Sequence, residues 1–392
     1  MNRSQSRKRP LCITRSLSED SSIGKGRHLR SKELREVASS VRNGTFTYEA
    51  RPKKSVDWAS YDEAQINELA DMLNSIRDIV DEACARIAER PPEVKTGPGR
   101  PQVPACDLAK ALMLQSYFGA GNRVAAGLVR VFGEKLHISS EFSYKTIERG
   151  YDPGRVTPIL EEVLRITNEM GNGNENTFAA DGSGDPSTVK VNYESRRSEQ
   201  RKERKEESGR ELSLFPDSTV RKHDFQYLAL TAGVHTKVIS AFTSTDDHSI
   251  GELSHFPSLM DTTALNCPSM DTMLGDGLYA ARTVCAVTEQ YGVMPYFLPK
   301  SNSTFRSHGV PSWSHMTHAL VLDPQQWLSV YHMRSNAETV MSMLKRRLPA
   351  KIRKKLPERK KTEEFLKADV HNVRQCCYLT YTHPEMLKGT EQ

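Results

Sequence analysis

The 392-residue sequence predicts an α/β protein: a mixed sheet carrying helices, preceded by an all-helical region and a basic tail. Three observations predict it. After "GNGNEN" (171–176), helical periodicity gives way to short runs rich in β-branched and aromatic residues. Two of these runs end alike, "AADGS" and "LGDGL", each placing an aspartate, Asp181 or Asp276, directly before Gly. A proline-bounded amphipathic helix follows the last run.

Taken in order, residues 1–55 are poor in periodic apolar positions and are expected to be disordered. A helix is expected from "SYDE", where Ser60 and Glu63 have capping-box spacing. Its residues Ile66, Leu69, Leu73, Ile76, Val80, Ala83 and Ile87 alternate steps of three and four, which suits a bundle face or a short coiled-coil seam. "RPPEVKTGPGRPQVP" (90–104) breaks helix and strand alike. Its "PGRP", with Arg100, resembles the core of a minor-groove hook; a plain linker is the competing reading. Residues 105–135 and 153–170 read as helical.

The strand-like runs are "TFAADGSG", "FQYLALTAG" and "HTKVISAFT" joined by a tight turn, then "MDTMLGDG" and "VMPYFLP". The order expected is three strands, helix, strand, helix, strand and a final long helix. "LYAARTVCAVTEQYG" is the helix before the last strand, stopped by Gly292. The final helix has Asp323 to cap it, Pro324 at its first position and Pro349 to end it. The division expected is a tail at 1–55, a DNA-binding or dimerising helical region at 56–170, and a catalytic domain at 171–385. The mixed-charge excursion "RRSEQRKERKEESGR" (196–210) reads as solvated.

No apolar run reaches the length of a membrane span and no apolar stretch follows the basic N-terminus, so a cytoplasmic protein is expected. Seven cysteines lie scattered without a CxxC pair, which argues against a disulfide framework or a zinc site. Cys376 and Cys377 read as half-buried helix residues. The net charge is +6 but unevenly placed: residues 1–54 hold 14 Lys/Arg against 5 Asp/Glu, and 345–361 hold 10 against one. Two such blocks on one chain favour a polyanionic partner, most simply nucleic acid.

The ends of strands in an α/β sheet are where polar groups meet in a crevice, and Gly lets a ligand approach. Each Asp-Gly alone is an ordinary turn former. The final helix adds Glu338. On an uninterrupted helix Tyr331, Arg334, Glu338 and Lys345 fall within about 60° of one another, opposite Val340 and Met343. An exposed face laced with i,i+4 ion pairs explains such a stripe unless something needs its carboxylate. Three converging carboxylates need a cation, and oxygen donors favour Mg²⁺ or Mn²⁺. Two such ions about 4 Å apart serve in-line displacement at phosphorus.

Tyr331, Arg334, Glu338 and Lys345 fit Y-x2-R-x3-E-x6-K, and with the strand motifs around Asp181 and Asp276 the chain resembles insertion-sequence transposases of the DDE type over about 171–385. The "LAKALMLQSYFGAGNR" helix resembles them more loosely. The resemblance implies a ribonuclease-H-like catalytic domain with Asp181, Asp276 and Glu338 as catalytic, metal-binding triad for two Mg²⁺ or Mn²⁺ ions. It implies DNA contacts by Tyr331, Arg334 and Lys345, with double-stranded DNA, terminal inverted repeats and target, as partner. A homodimer in the synaptic complex and a nucleoid-associated location follow from it. Family members read Asp-x-Gly-Tyr-Asp after the second aspartate, whereas this chain reads Asp276-Gly277-Leu278-Tyr279-Ala280. A decayed or repurposed DNA-binding copy, or another nuclease of the same fold, therefore stays open.

Beyond the signature, Arg346 and Arg347 extend the basic face. "SHGVPSWSHMTH" (307–318) gathers His308, His315 and His318 near Trp313 and reads as a polar surface loop; no Cys or HExxH supports zinc. The family's use of an aromatic there to hold a flipped base makes Trp313 a DNA-contact candidate by position, against a packed Trp. Trp327 lies near the stripe. His248 has no evident use.

Overall fold

The computed structural model describes residues 29–47, 55–88, 103–186, 225–247, 250–349 and 351–388. Arg100, the 196–210 excursion, His248 and the tail through residue 28 lie outside the described residues.

Helix α1 (Ser31–Arg42) forms inside the stretch expected to be disordered, a correction for these residues. Its Leu34 is fully buried in a cluster with Trp313 and Phe297. Val37, Val41 and Phe46 pack against the same cluster. Leu34, Val37, Ala38 and Val41 have helical spacing, a short signal that the charged and polar residues around it obscure. Helix α2 (Trp58–Ala88) starts before the expected capping box, because Asp57 Oδ1 accepts from the backbone N–H groups of Ala59 and Ser60. Leu73, Ile76, Val80 and Ala83 are buried in the bundle, while Ile66 is 81% exposed. The bundle reading therefore holds for the C-terminal half of the seam only.

Helices α3 (Ala105–Phe118) and α4 (Asn122–Phe132) interrupt the helix expected over 105–135. Gly119, at φ +58°, makes the break. Helix α5 (Tyr144–Gly150) is capped by Ser143 Oγ, and α6 (Pro153–Gly171) leads to the sheet. Cys84 and Cys106 are joined by a disulfide across α2 and α3, correcting the expectation of unpaired thiols for this pair. Cys377 is half-buried as expected, whereas Cys376 is fully buried.

The sheet contains β1 (Thr177–Pro186), β2 (Phe225–Gly233), β3 (Ile239–Thr245), β4 (Thr272–Gly275) and β5 (Met294–Phe297), in the order β3-β2-β1-β4-β5. A short connection suffices for the antiparallel β2–β3 pair. The parallel β1–β4 and β4–β5 pairs need crossovers, which α7 (Glu252–Asn266) and α8 (Arg282–Gln290) supply. This mixed five-stranded sheet is consistent with the ribonuclease-H-like expectation. The expected loop at 307–318 is instead largely helix α9 (Pro311–Leu322).

The long helix expected after Asp323 is broken. It runs as α10 (Pro324–Tyr331), a 3-10 turn (His332–Arg334) and α11 (Ser335–Arg347). Its punctuation holds: Asp323 Oδ1 accepts from Gln326 N–H at 3.0 Å. Helix α12 (Pro357–Thr382) ties the halves together. Its buried Asn372 accepts from Ile239 N–H at 2.8 Å, covering a polar group at the start of β3. One core cluster joins Ile76, Leu112 and Leu160 to Leu230, Val340 and Leu366.

Candidate acidic site

Strand register brings the two aspartates together. Thr177 pairs with Thr272, Phe178 with Met273 and Ala179 with Leu274. The pairing ends at Ala179 and Leu274; Asp276 follows β4 in a turn, near enough to Asp181 for its negative charge to act on that carboxyl. Because side chains alternate along a strand, Ala179, Asp181 and Ser183 share a face. Helix α11 covers it: Ala337 packs with Ala179 and Leu274, and Lys345 Nζ donates to Ser183 Oγ. Residues 337 to 345 rise about 12 Å in a helix, and 179 to 183 about 13 Å in a strand. Helix and strand thus run alongside, and Glu338 stands level with residues 179–181.

Burial pushes the Asp181 carboxyl up to about 7, the negative charges of Glu252, Glu338 and Asp276 adding to it and the Gly182 N–H opposing. Glu252 was missed in the sequence; it opens α7, and its only local signal is an acid in the first turn of a helix after a strand. Its carboxylate lies across Gly182, where an added Cβ would come 2.8 Å from Glu252 Cδ and onto the Tyr227 hydroxyl. Tyr279, buried, donates its hydroxyl to Glu252 Oε1 at 2.9 Å. That contact accounts for a tyrosine three residues after Asp276.

Asp276 is exposed, and its Oδ1 accepts from Leu278 N–H at 2.7 Å, so it also forms the turn. Glu338, with 56% of its side chain exposed, is paired with Arg334 at 2.5 Å. Among the described residues, no three His, Cys, Asp or Glu side chains are gathered closely enough to hold a metal ion. The donor chemistry suits a hard cation, but the expected three-acid cage is not closed in this conformation. Glu338 is turned toward Arg334, and Asp276 is engaged by its own turn.

Two residues expected to contact DNA are part of the core. Tyr331 is 5% exposed and stacks on Trp327 at 5.0 Å. Trp327 and Tyr331 are one turn apart on α10 and pack inward together, and the 3-10 turn keeps Arg334 over the Tyr331 ring, 5.4 Å from its centroid, from where it reaches the exposed Glu338. Trp313 is 2% exposed, donates Nε1–H to the Thr304 carbonyl at 2.9 Å, and lies under the Arg282 guanidinium. The structure gives it no open face for a base. Arg346 and Arg347 are exposed at the end of α11. His318 is occupied by the Ser314 carbonyl, 2.7 Å from its Nδ1.

Helix α1 adds a cation that sequence reading missed. Arg42 donates to the Leu298 and Pro299 carbonyls, and its Nη2 lies 2.8 Å from where a Cβ on Gly277 would be, beside Asp276. A tail read as disordered offered no reason to look there.

Comparison with known proteins finds no matching family model and no curated protein that matches. Two solved structures are similar at low level. One is a Mos1 transposase paired-end complex with the left transposon end (11% identity, 67% of this chain and 84% of that chain, TM-score 0.21). The other is a pre-cleavage Mos1 transpososome (10% identity, 91% of this chain and 99% of that chain, TM-score 0.21). No helix among the described residues is long and apolar enough to cross a membrane.

Proposed function

We propose that this chain is a DNA transposase of the DDE type, acting on double-stranded DNA at its element's terminal inverted repeats and at a target. What supports the reading is the parallel β1–β4 pairing, which leads to Asp181 on one strand and to Asp276 just after the other, with the helix that carries Glu338 packed on that face. The carboxylates of Asp181, Asp276 and Glu338 would hold two divalent ions. Bound Mg²⁺ or Mn²⁺ supplies activation of the attacking oxygen and stabilisation of the leaving one.

The chain's own residues do the rest. Asp181 gives up its proton to become a ligand, against the repulsion of the acids around it. Arg334 exchanges Glu338 for a DNA phosphate, which frees that carboxylate to turn inward. Lys345, fixed on Ser183, presents its charge beside the same strand. A homodimer joining two ends and a nucleoid-associated, cytoplasmic location belong to this reading.

The Arg334–Glu338 pair favours a second reading, a DNA-binding protein derived from a transposase and without chemistry. Mg²⁺-dependent nicking of duplexes that carry the gene's flanking inverted repeats separates the two. Cleavage that disappears in Glu338→Gln supports the transposase, with strand-transfer products separating it from another nuclease. Undiminished cleavage by that variant overturns the triad.

A further inference from the structure

We propose a second DNA-binding surface, remote from the acidic site, in which an extended segment with three outward cations meets an arginine-tyrosine groove on α4 and α5; it rests on the DNA reading above. Residues 351–355 leave α11 and run past the end of β1, the strand that carries Asp181. Ile352 N–H donates to the Pro186 carbonyl, and the Arg353 and Lys354 N–H groups donate to the Glu363 carboxylate at 3.0 and 2.8 Å. The segment is therefore pinned at both sides. Ile352 and Lys354 point inward and are buried, while Lys351, Arg353 and Lys355 are exposed. Alternate residues of an extended chain stand about 6.6 Å apart. That is close to the through-space separation of neighbouring phosphates along one DNA strand, so successive outward cations can meet successive phosphates.

Lys354, the inward residue, joins this ladder to the helical region. Its Nζ donates to Glu148 Oε2 at 2.6 Å and Asn122 Oδ1 at 3.1 Å, and it lies 3.7 Å from the Tyr151 ring centroid. Arg359 donates to Glu148 and Asp152. These two inner cations are neutralised and structural, which leaves the outward ones available to a partner. Beside Asn122, an open groove is lined by Gly121, Asn122, Arg123, Val124 and Tyr144. Arg123 stacks over the exposed Tyr144 ring, 4.9 Å from its centroid.

A guanidinium held flat on an aromatic ring, next to a row of regularly spaced cations, suits a sugar-phosphate backbone better than an acidic peptide, whose charges have no fixed spacing. The acids shown at this surface, Glu148 and Asp152, are taken up by Lys354 and Arg359. Glu358 follows the ladder in sequence, and no acid alternates with its cations. The surface extends DNA contact from the catalytic strand by way of Pro186, so one duplex engages both.

The test uses the full chain carrying Asp181→Asn, in EDTA, binding a fluorescent 40-base-pair duplex of arbitrary sequence across a salt series. With Lys351, Arg353 and Lys355 all replaced by alanine, the slope of log K against log salt should shrink by about 2.7, or 0.9 per lost phosphate contact. Arg123→Ala with Tyr144→Ala should remove about one contact more. Replacing exposed Lys32 and Lys388 instead, as a control, should leave the slope unchanged. An unchanged slope in the triple variant, with unchanged circular dichroism, overturns the surface while parental binding leaves the DNA reading standing. No parental binding overturns both. A triple variant that loses affinity for an acidic peptide or an RNA duplex, and none for DNA, also overturns the proposal. If the triple variant fails to fold, Lys351→Ala and Lys355→Ala tested singly should each lower the slope by about 0.9.

Discussion

Replacing Asp181 by asparagine should stabilise the protein while removing a ligand the proposed chemistry needs. The carboxyl has an ordinary value of 3.8 and is raised to about 7 in the fold, first by burial and then by Glu252, Glu338 and Asp276. Below 3.8 both folded and unfolded chains hold the proton, and the acid costs nothing. As pH rises from about 4 to 7 the unfolded chain has released its proton while the folded chain retains it, so stability is lost through that window. At 1.36 kcal/mol per pH unit, the loss at neutrality is about 4 kcal/mol. Asparagine has no proton to release and nearly the same shape, so it escapes this cost. At roughly 2 °C per kcal/mol for a large domain, the variant should melt about 8 °C above the parent at pH 7 and level with it near pH 4. Calorimetry in EDTA at four pH values between 4 and 7 measures the gap. A gap that does not change with pH, or a parent more stable than the variant at pH 7, would refute the reasoning. Excess Mg²⁺ should narrow the gap at pH 7, because an ion bound only by the folded parent stabilises it.

Other expectations follow from the same contacts. Lys367→Met strips the cation from Asp185 and Glu364, which bond it at 2.7 and 3.0 Å in the interior, and should cost about 3–5 kcal/mol at pH 8. Burial lifts the Glu364 carboxyl to about 8, so chemical denaturation should show the loss shrinking as the pH is lowered and the stranded acids take up protons. Gly182→Ala places a methyl against the Tyr227 hydroxyl and Glu252, and a urea titration should show a loss of about 1–3 kcal/mol. Trp313→Ala should cost about 3–5 kcal/mol in the same titration without DNA present, because its ring fills the core. A role in holding a base would instead leave the midpoint unmoved and reduce only cleavage.

The helical wheel gave the side the signature residues share but not how deeply each is buried. Arg334, Glu338 and Lys345 keep the outward, sheet-flanking placement that their spacing implied. Tyr331 shares their side, with Arg334 over its ring, but is buried in an i,i+4 stack with Trp327 on α10. Trp313 shows a related failure: a stretch studded with His and Ser reads as surface, yet one helical side of it is core. Neither error concerns residue type. Both concern burial, which depends on what packs over a face and which composition does not report.

By itself the sequence determined the strand-rich half, the five strands and their helices, and the candidate acids at Asp181, Asp276 and Glu338. Alternation, turn residues and proline punctuation are local, and local signals survive in a string. Only the tertiary structure decided that α1 is ordered, that Glu252 and Arg42 stand beside the acids, and that Lys354 ties the 351–355 segment to Asn122, next to Arg123. Each of these depends on segments distant along the chain being brought together; the spacing of Leu34, Val37, Ala38 and Val41 can mark a helix face but not what covers it.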